Sequence, residues 1–213
     1  KEIKEITYLL ESSTEWINDV GNAAFEICDG MGGFKVFNKM ANHKIPLEAF
    51  GEVELCNYID LDEHDKLLVL NMRNHLQIRK WMHNQDSISE EDHFRFIKNL
   101  EADIERRYFL IKQKDNIIGS INFSKINFEN SIELGIYTNP FLQLKGAGKL
   151  LELVASQYAF IELGVKKIRL EVYSDNDRAI RFYNKCGFEF IDTKKVNHRN
   201  IMHMEKTKVL EKV

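Results

Sequence analysis

The sequence predicts an α/β protein built on a mixed sheet with helices on both faces. Three observations support this fold class. From residue 52 onward, short runs alternate apolar and polar residues as strands do. Longer runs between them carry apolar residues at helical spacing. The segments follow the order strand, two helices, three antiparallel strands, helix, strand, helix and two strands, which a single layered domain accommodates.

Composition limits the classes of partner. The chain has 213 residues and a net charge of −3, which suits one domain with an extension and argues against nucleic acid as a partner. Cys28, Cys56 and Cys186 lie far apart without metal-ligand spacing, as expected in a reducing compartment. No apolar run is long enough to span a bilayer, and the start has no signal-peptide core. We therefore expect a cytoplasmic protein with no membrane partner.

The first fifty residues carry helical signals. Ile6, Leu9 and Leu10 have helical spacing, and a second helical run follows before the Pro- and Gly-containing stretch HKIPLEAFGE. We therefore predict a helical extension over residues 1–50 and a separate domain over 52–213. Because the chain begins with Lys rather than Met, we expect it to be part of a longer protein.

The later segments each have a local signal. Ser89 starts a Ser-x-x-Asp capping box, and Phe94, Ile97, Leu100 and Ile104 follow at helical spacing. The predicted elements are strand 52–61, helices 62–75 and 89–104, strands 107–113, 117–126 and 131–139, helix 148–164, strand 166–174, helix 176–186, and strands 188–195 and 199–207.

The stretch QLKGAGK, residues 143–149, predicts a phosphate-binding loop before a long helix. It lacks the spacing and the terminal Ser/Thr of a nucleoside-triphosphate loop. It also lacks the third glycine of a dinucleotide fingerprint, because residue 151 is Leu. The remaining Gln-x-x-Gly-x-Gly turn suits a pyrophosphate, which would meet free N–H groups and the positive end of the helix. Taken alone, the glycines are equally explained by a tight turn.

Two motifs in order give a more specific interpretation. The loop follows LGIYTNPFL, and NDRAIRFYNKCGF comes about thirty residues later. Together they resemble the Gcn5-related N-acetyltransferase (GNAT) superfamily over residues 52–206. The resemblance implies the GNAT acyl-CoA N-acyltransferase fold, with acetyl-CoA as co-substrate and no metal. It also implies that the strand of Leu134 to Tyr137 bulges and splays from the strand of Ile168 to Tyr173, leaving room for pantetheine.

The resemblance also assigns cofactor and catalytic residues. Asn176 would reach the pantetheine arm, and the Tyr183 hydroxyl would protonate the leaving thiolate. Tyr183 is alternatively a core aromatic beside Phe182. The cofactor-binding residues implied are Leu134, Ile136, Tyr137, Gln143, Lys145, Gly146, Ala147, Gly148, Lys149, Asn176, Ala179 and Tyr183.

In this superfamily the amino-terminal half of the domain shapes the site for the acceptor amine. Here that half resembles one branch of the superfamily. NMRNHLQIRKWM, DHFRFI and FSKINF are similar to the acetyltransferases of pseudaminic acid biosynthesis, a pathway of flagellin glycosylation. That branch acetylates the 4-amino group of UDP-linked 4-amino-4,6-dideoxy-N-acetyl-altrosamine by direct attack. Glu171 would be the base through a water, and Trp81 and Met82 would face the 6-methyl group. The residues implied to contact the nucleotide or sugar are Arg73, Met82, His93, Ser124, Lys125 and Tyr137.

Each of these residues also has an interpretation without function. Arg73 could neutralise carbonyls at a helix end, and His93 and Lys125 could be solvated. Glu171 alternates with apolar neighbours, so it faces either solvent or a cleft. Trp81 and Met82 are ordinary core residue types. The histidines have no convergent metal spacing, so no metal site is predicted.

The origin of the first fifty residues and the exact acceptor stay open from the sequence. GNAAFEICDGMGGFKVFNKM resembles the end of the UDP-sugar hydrolase of the same pathway, so residues 1–50 are either a remnant of an upstream hydrolase domain or a native extension. A covalent fusion and a homodimer both fit. The rival functions are acetylation of a protein N-terminus or another amino sugar, and a non-catalytic acyl-CoA-binding module.

Overall fold

The computed structural model describes residues 43–47, 51–126, 130–196 and 198–209. The chain divides between Met40 and Ala41 into two units, and all described residues lie in the second. Among them, no helix combines the length and apolar character needed to cross a membrane. The predicted helices of the first forty residues and their hydrolase resemblance lie outside the described residues.

Within the described residues, one eight-stranded sheet carries five α-helices. The strand order is β1-β2-β3-β4-β5-β6-β8-β7, antiparallel except for the parallel pair β5–β6. The predicted α/β fold is confirmed. The elements are β1 His43–Leu47, β2 Gly51–Asn57, a 3-10 turn Tyr58–Asp60, α1 Glu63–Asn74, α2 Leu76–Arg79, α3 Glu90–Leu100, β3 Arg107–Gln113, β4 Asn116–Ser124, β5 Ser131–Thr138, α4 Ala147–Gln157, a π-helical turn Tyr158–Glu162, β6 Lys167–Tyr173, α5 Asp177–Lys185, β7 Glu189–Val196 and β8 Arg199–Thr207.

Capping side chains set where the first helices begin. Asp62 accepts from the Asp65 N–H at 2.8 Å at the start of α1. Ser89 accepts from the Asp92 N–H at 3.1 Å at the start of α3, as the capping box predicted. The helix α3 ends at Leu100, so Ile104 is exposed rather than part of its apolar face.

The main core lies between the sheet and α4. Leu150, Leu151 and Val154 on α4 are buried against strand residues. The predicted long helix changes to a π-helical turn at Tyr158, whose ring stacks on Phe123 with centroids 5.4 Å apart. A smaller hydrophobic cluster lies beneath α1 and α3. It includes Leu110, which alternates along β3 with Phe109 and Ile111 of the main core and so projects from the other face of the sheet. Helices on both faces thus hold the sheet as predicted.

The prediction of helix over residues 1–50 is wrong at β1. His43–Leu47 pairs antiparallel with β2, and Ile45 opposite Val53 is only 4% exposed. Pro46 masks the strand pattern in the sequence, yet an edge strand tolerates proline because one side of its backbone needs no ladder donor. We therefore propose that the domain begins before β1 and not at residue 52.

We predict that deleting residues 1–40 leaves the urea unfolding midpoint nearly unchanged, whereas deleting residues 1–50 lowers it. The longer deletion removes Ile45 from the core and leaves β2 as an open edge. Loss of a buried Ile side chain costs about 2–5 kcal/mol. Urea unfolding of the two truncated proteins and of Ile45→Ala measures the difference. Equal unfolding midpoints for both deletions would contradict the new boundary.

Candidate active site

A cavity of about 480 Å³ opens beside the parallel strand pair. Its wall combines residues of α1, of the segment after α2, of α3 and of strands β4, β5 and β6. The predicted residues that line it are Arg73, Trp81, Met82, His93, Ser124, Leu134, Tyr137 and Glu171. The structure therefore brings together residues that are up to about a hundred positions apart in sequence.

The strands β5 and β6 diverge beside this cavity. Their pairing covers only Ser131↔Lys167, Ile132↔Ile168 and Glu133↔Arg169. Beyond it, β6 remains bonded to β8 up to Tyr173. The expected splay is confirmed, and the facing edges are left available to an extended ligand chain, which can bond there as an added strand.

The expected bulge in β5 is wrong. The strand β5 pairs with β4 in unbroken register from Glu133 to Thr138. Its divergence follows from the attachment of β6 to β8 and needs no extra residue. The register shift on this side of the sheet is in the β3–β4 pair, where Ile111 is opposite Gly119 but Lys112 is opposite Ile117, so the extra residue is Ile118 of β4.

The loop before α4 has the features of an anion site. Gly146 is the N-cap with φ 88°, a left-handed conformation, and no side chain caps the helix. The N–H groups of the first turn, which include Gly148 and Lys149, have no partner within the helix. Gln143, Lys145 and Gly146 are exposed and Ala147 is buried. An anion at this helix end would meet both the N–H groups and the helix dipole.

A buried ionic cluster holds α4 to β8. Glu152 is fully buried and lies 2.9 Å from Lys149 Nζ and 2.5 Å from Lys206 Nζ, and the Ser156 hydroxyl donates to it at 2.7 Å. Burial alone would raise the pKa of Glu152, but the hydrogen bonds from Lys206, Ser156 and Lys149 lower it overall. The carboxylate therefore stays charged and positions Lys149 at the mouth of the loop.

The helix α5 lies next to the loop. A Cβ placed on Gly148 would be 3.6 Å from the Phe182 ring, so α4 and α5 meet closely there. Asn176 caps α5 by accepting from the Ala179 N–H at 3.2 Å. Its amide donors are not used in this cap.

Tyr183 sits between aromatic rings. Its ring centroid is 5.2 Å from that of Phe182 and 5.5 Å from that of Phe188. Burial raises the pKa of Tyr183 far above its ordinary value, so the hydroxyl remains protonated at neutral pH. No described residue makes a hydrogen bond to this hydroxyl. It is thus a donor with no described partner on a half-buried side chain.

Glu171 faces the cavity rather than open solvent. Its carboxylate lies 2.9 Å from His83 Nε2 and 3.2 Å from His203 Nε2, and its side chain is 32% exposed. Neither histidine was predicted at the site. The carboxylate is accessible and already surrounded by proton-carrying groups, as a base requires.

The opposite wall carries a half-buried cation and two phenols. Arg73 Nη2 donates to the Asn84 carbonyl at 2.7 Å, while Nη1 is buried without a hydrogen-bond partner. Burial lowers the pKa of Arg73. Tyr58, which sequence reasoning missed, shares hydrogen bonds with Ser120 at 2.6 Å and with Tyr137 at 3.2 Å. Burial raises the pKa of both Tyr58 and Tyr137, so both phenols stay neutral donors.

Two substrate candidates differ from their expected setting. His93 is buried, not solvated: Nε2 lies 2.9 Å from the Lys66 carbonyl oxygen and burial lowers its pKa. Lys125 is exposed, has φ 52° and forms an ion pair with Glu133, which itself lines the cavity. Lys125 does not line the cavity, so its predicted sugar contact gains no support from the geometry.

Asn122 was also missed. It lines the cavity beside Gly135, where an added Cβ would lie 2.4 Å from its Oδ1. Residue 135 must therefore be glycine for Asn122 to occupy this position. Tyr58, Asn122 and His203 gave no sequence signal, because their partners are remote in the chain and meet only through strand register.

The splayed strands and the adjacent anion-binding helix end define the class of site, a cleft for an acyl-CoA thioester. Comparisons agree with this. The Acetyltransferase (GNAT) family matches residues 73–188. Acetyltransferase PseH of Campylobacter jejuni is 36% identical over 143 residues, which are 67% of this chain and 88% of that protein. The chain belongs to the GNAT family and is an acetyl-CoA-dependent N-acetyltransferase.

Solved structures show the same fold. Campylobacter jejuni N-acetyltransferase PseH in complex with acetyl coenzyme A is 29% identical with a TM-score of 0.60, covering 74% of this chain and 99% of that one. The spermidine N-acetyltransferase of Vibrio cholerae in complex with CoA and spermine is 24% identical with a TM-score of 0.66, and the match covers 73% of this chain and 95% of that one. At this level of identity the similarity concerns the fold only.

Proposed function

We propose that this enzyme acetylates the 4-amino group of a UDP-linked 4-amino-4,6-dideoxy-N-acetyl-altrosamine in pseudaminic acid biosynthesis, the route to glycosylated flagellin. The motifs of the acceptor half and the similarity to PseH support this substrate. Because it consumes acetyl-CoA, the reaction belongs in the cytoplasm. The single observation that carries the proposal is the charge arrangement of the acceptor cavity.

The cavity favours an anionic acceptor over a polycation. Its two carboxylates already have cationic or imidazole partners, Glu133 with Lys125 and Glu171 with His83 and His203. Arg73 instead keeps one buried guanidinium nitrogen unpaired. A small rotation of this side chain would present Nη1 to a phosphate or carbonyl oxygen. A polyamine would leave that nitrogen unpaired and add a like charge, which costs free energy.

In this proposal, separate groups of residues bind the cofactor and transfer the protons. Acetyl-CoA supplies the thioester acetyl group, and its pyrophosphate would be held by residues Gln143, Lys145, Gly146, Ala147, Gly148 and Lys149. In this proposal the backbone of Leu134, Ile136 and Tyr137 and the side chain of Asn176 hold the pantetheine arm, next to Ala179.

Glu171 would accept the proton of the sugar amine, directly or through a water. Tyr183 would give its proton to the departing thiolate. Both transfers occur in a partly dry cleft, where burial raises the basicity of the thiolate as well as the pKa of the phenol. Trp81 and Met82 offer an apolar surface for the 6-methyl group, beside Ser124 and His93.

The acceptor panel is the direct test. We expect turnover with the UDP-linked 4-amino sugar and at least about tenfold less with the same sugar lacking UDP, since a charge-assisted contact is lost. Spermidine and a peptide with a free α-amine complete the panel, read by thiol release and by mass of the product. Preference for spermidine or for the peptide would overturn the proposal.

Arg73→Ala should raise the KM for the sugar nucleotide more than about tenfold, because a charge-assisted hydrogen bond is worth roughly 1.5–3 kcal/mol. Acetyl-CoA affinity should not change. Arg79→Ala is the matched control: Arg79 is a nearby cation that contributes to the electrostatics of Arg73 but does not line the cavity. Similar KM values for the two variants would place nucleotide recognition elsewhere.

Tyr183→Phe should lower kcat by about a hundredfold or more, the usual range for a lost general acid. The acetyl-CoA dissociation constant should stay near that of the wild type, because the packing on Phe182 and Phe188 survives. Steady-state kinetics with calorimetric binding separates the two quantities. Parallel losses of binding and rate would instead indicate a structural tyrosine.

A further inference from the structure

A row of three ionisable side chains leads from the cavity across the sheet. Glu171 on β6 is directly opposite His203 on β8, and Asp192 on β7 is opposite His203 on its other side. Residues directly opposite in antiparallel strands project from the same face. His203 Nε2 is 3.2 Å from Glu171 Oε1, and His203 Nδ1 is 2.5 Å from Asp192 Oδ1. One imidazole thus joins two carboxylates.

A β-bulge creates this row. The register of β7 against β8 shifts between Phe190, opposite Met204, and Asp192, opposite His203. In a regular ladder Ile191 would be opposite His203, so the extra residue replaces an apolar side chain with a carboxylate there. Ile191 is left 47% exposed. Bulges re-aim side chains at functional sites in this way.

The Asp192 end of the row is the most exposed to solvent. The side chains of Glu171 and His203 are 32% and 29% exposed, whereas that of Asp192 is 63% exposed. A bound acceptor would cover the Glu171 end and leave the Asp192 end in water. The row therefore connects the reacting amine with solvent.

The reaction releases one proton that needs such an exit. An amine that arrives as ammonium, R–NH3⁺, must lose a proton before its lone pair can attack the thioester. After the N–C bond forms and the C–S bond breaks, the second amine proton balances the one that the thiolate receives. The sum is R–NH3⁺ and acetyl-CoA giving the amide, CoA–SH and H⁺.

We propose that His203 and Asp192 are positioning residues that act through Glu171 and carry this proton to solvent. Glu171 takes the proton from the ammonium nitrogen and passes it to His203 Nε2, while His203 Nδ1–H gives its own proton to Asp192. Asp192 then releases that proton to water, and the imidazole returns to its starting tautomer. His83, on the other oxygen of Glu171 at 2.9 Å, holds the carboxylate in place, and Lys125 adds a positive field. This inference rests on the proposed role of Glu171 but not on the identity of the acceptor.

The test uses the full chain with whichever acceptor the wild type turns over, so failure of the sugar assignment appears in the wild type alone. His203→Ala should lower kcat about tenfold or more, while KM and acetyl-CoA binding change little. This loss is smaller than the roughly hundredfold or greater loss typical of a missing general base, because Glu171 itself remains. Free imidazole should restore part of the rate in proportion to its concentration. Asp192→Asn should show a smaller loss.

Glu189→Gln, an exposed carboxylate on the same strand outside the row, is the matched control and should keep the wild-type kcat. Thermal melting of His203→Ala and His203→Gln shows whether either variant is unfolded. A kcat of His203→Ala within about twofold of the wild type would overturn the relay. So would a loss in both His203 variants that imidazole fails to restore.

Discussion

The short parallel contact between β5 and β6 is the constraint on which the rest of the structure depends. Three residue pairs join these strands, while each remains bonded to an antiparallel neighbour on its other side. The sheet therefore stays continuous and still opens into a wedge. Backbone groups along a wedge need partners, and an extended amide-containing arm can supply them. In the proposed binding mode, the ligand would thus substitute for the missing strand pairing.

A charge-compensated cluster ties the helix after the glycine-rich loop to the sheet. The buried carboxylate of Glu152 ties the first turns of α4 to β8 through Lys149 and Lys206. Removing one partner of such a buried pair typically costs about 3–5 kcal/mol, because an unpaired charge stays in the core. The cluster meets β8 at Lys206, which is opposite Ile168 in the region where β5 and β6 are still paired. It thus fixes the glycine-rich loop before α4 relative to β8.

Local patterns predicted most of the elements because their signals are local. The capping box at Ser89 and the glycine-rich start of α4 are examples, and the motif around Tyr183 predicted the short helix α5. The strand β1 was missed because Pro46 interrupts its pattern and only pairing with β2 stabilises it. The contacts of Tyr58 and His203 could not be predicted, since register and a bulge decide which side chains lie opposite.

The Arg199 side chain contacts both the segment after α2, which lines the cavity, and the end of β6, the strand that carries Glu171. The Arg199 guanidinium lies 3.6 Å over the Tyr173 ring and forms two hydrogen bonds with Asp175, at 2.9 and 3.0 Å. The same guanidinium reaches the Lys80 carbonyl and the Trp81 ring. This contact fastens the segment after α2 to the end of β6. Because His83 belongs to that segment, these contacts also hold the stretch of chain that brings His83 to 2.9 Å from Glu171. In the proposed mechanism, recognition of the acceptor and deprotonation of its amine would therefore be coupled through the contacts of Arg199 on β8, although the residues involved come from opposite halves of the chain.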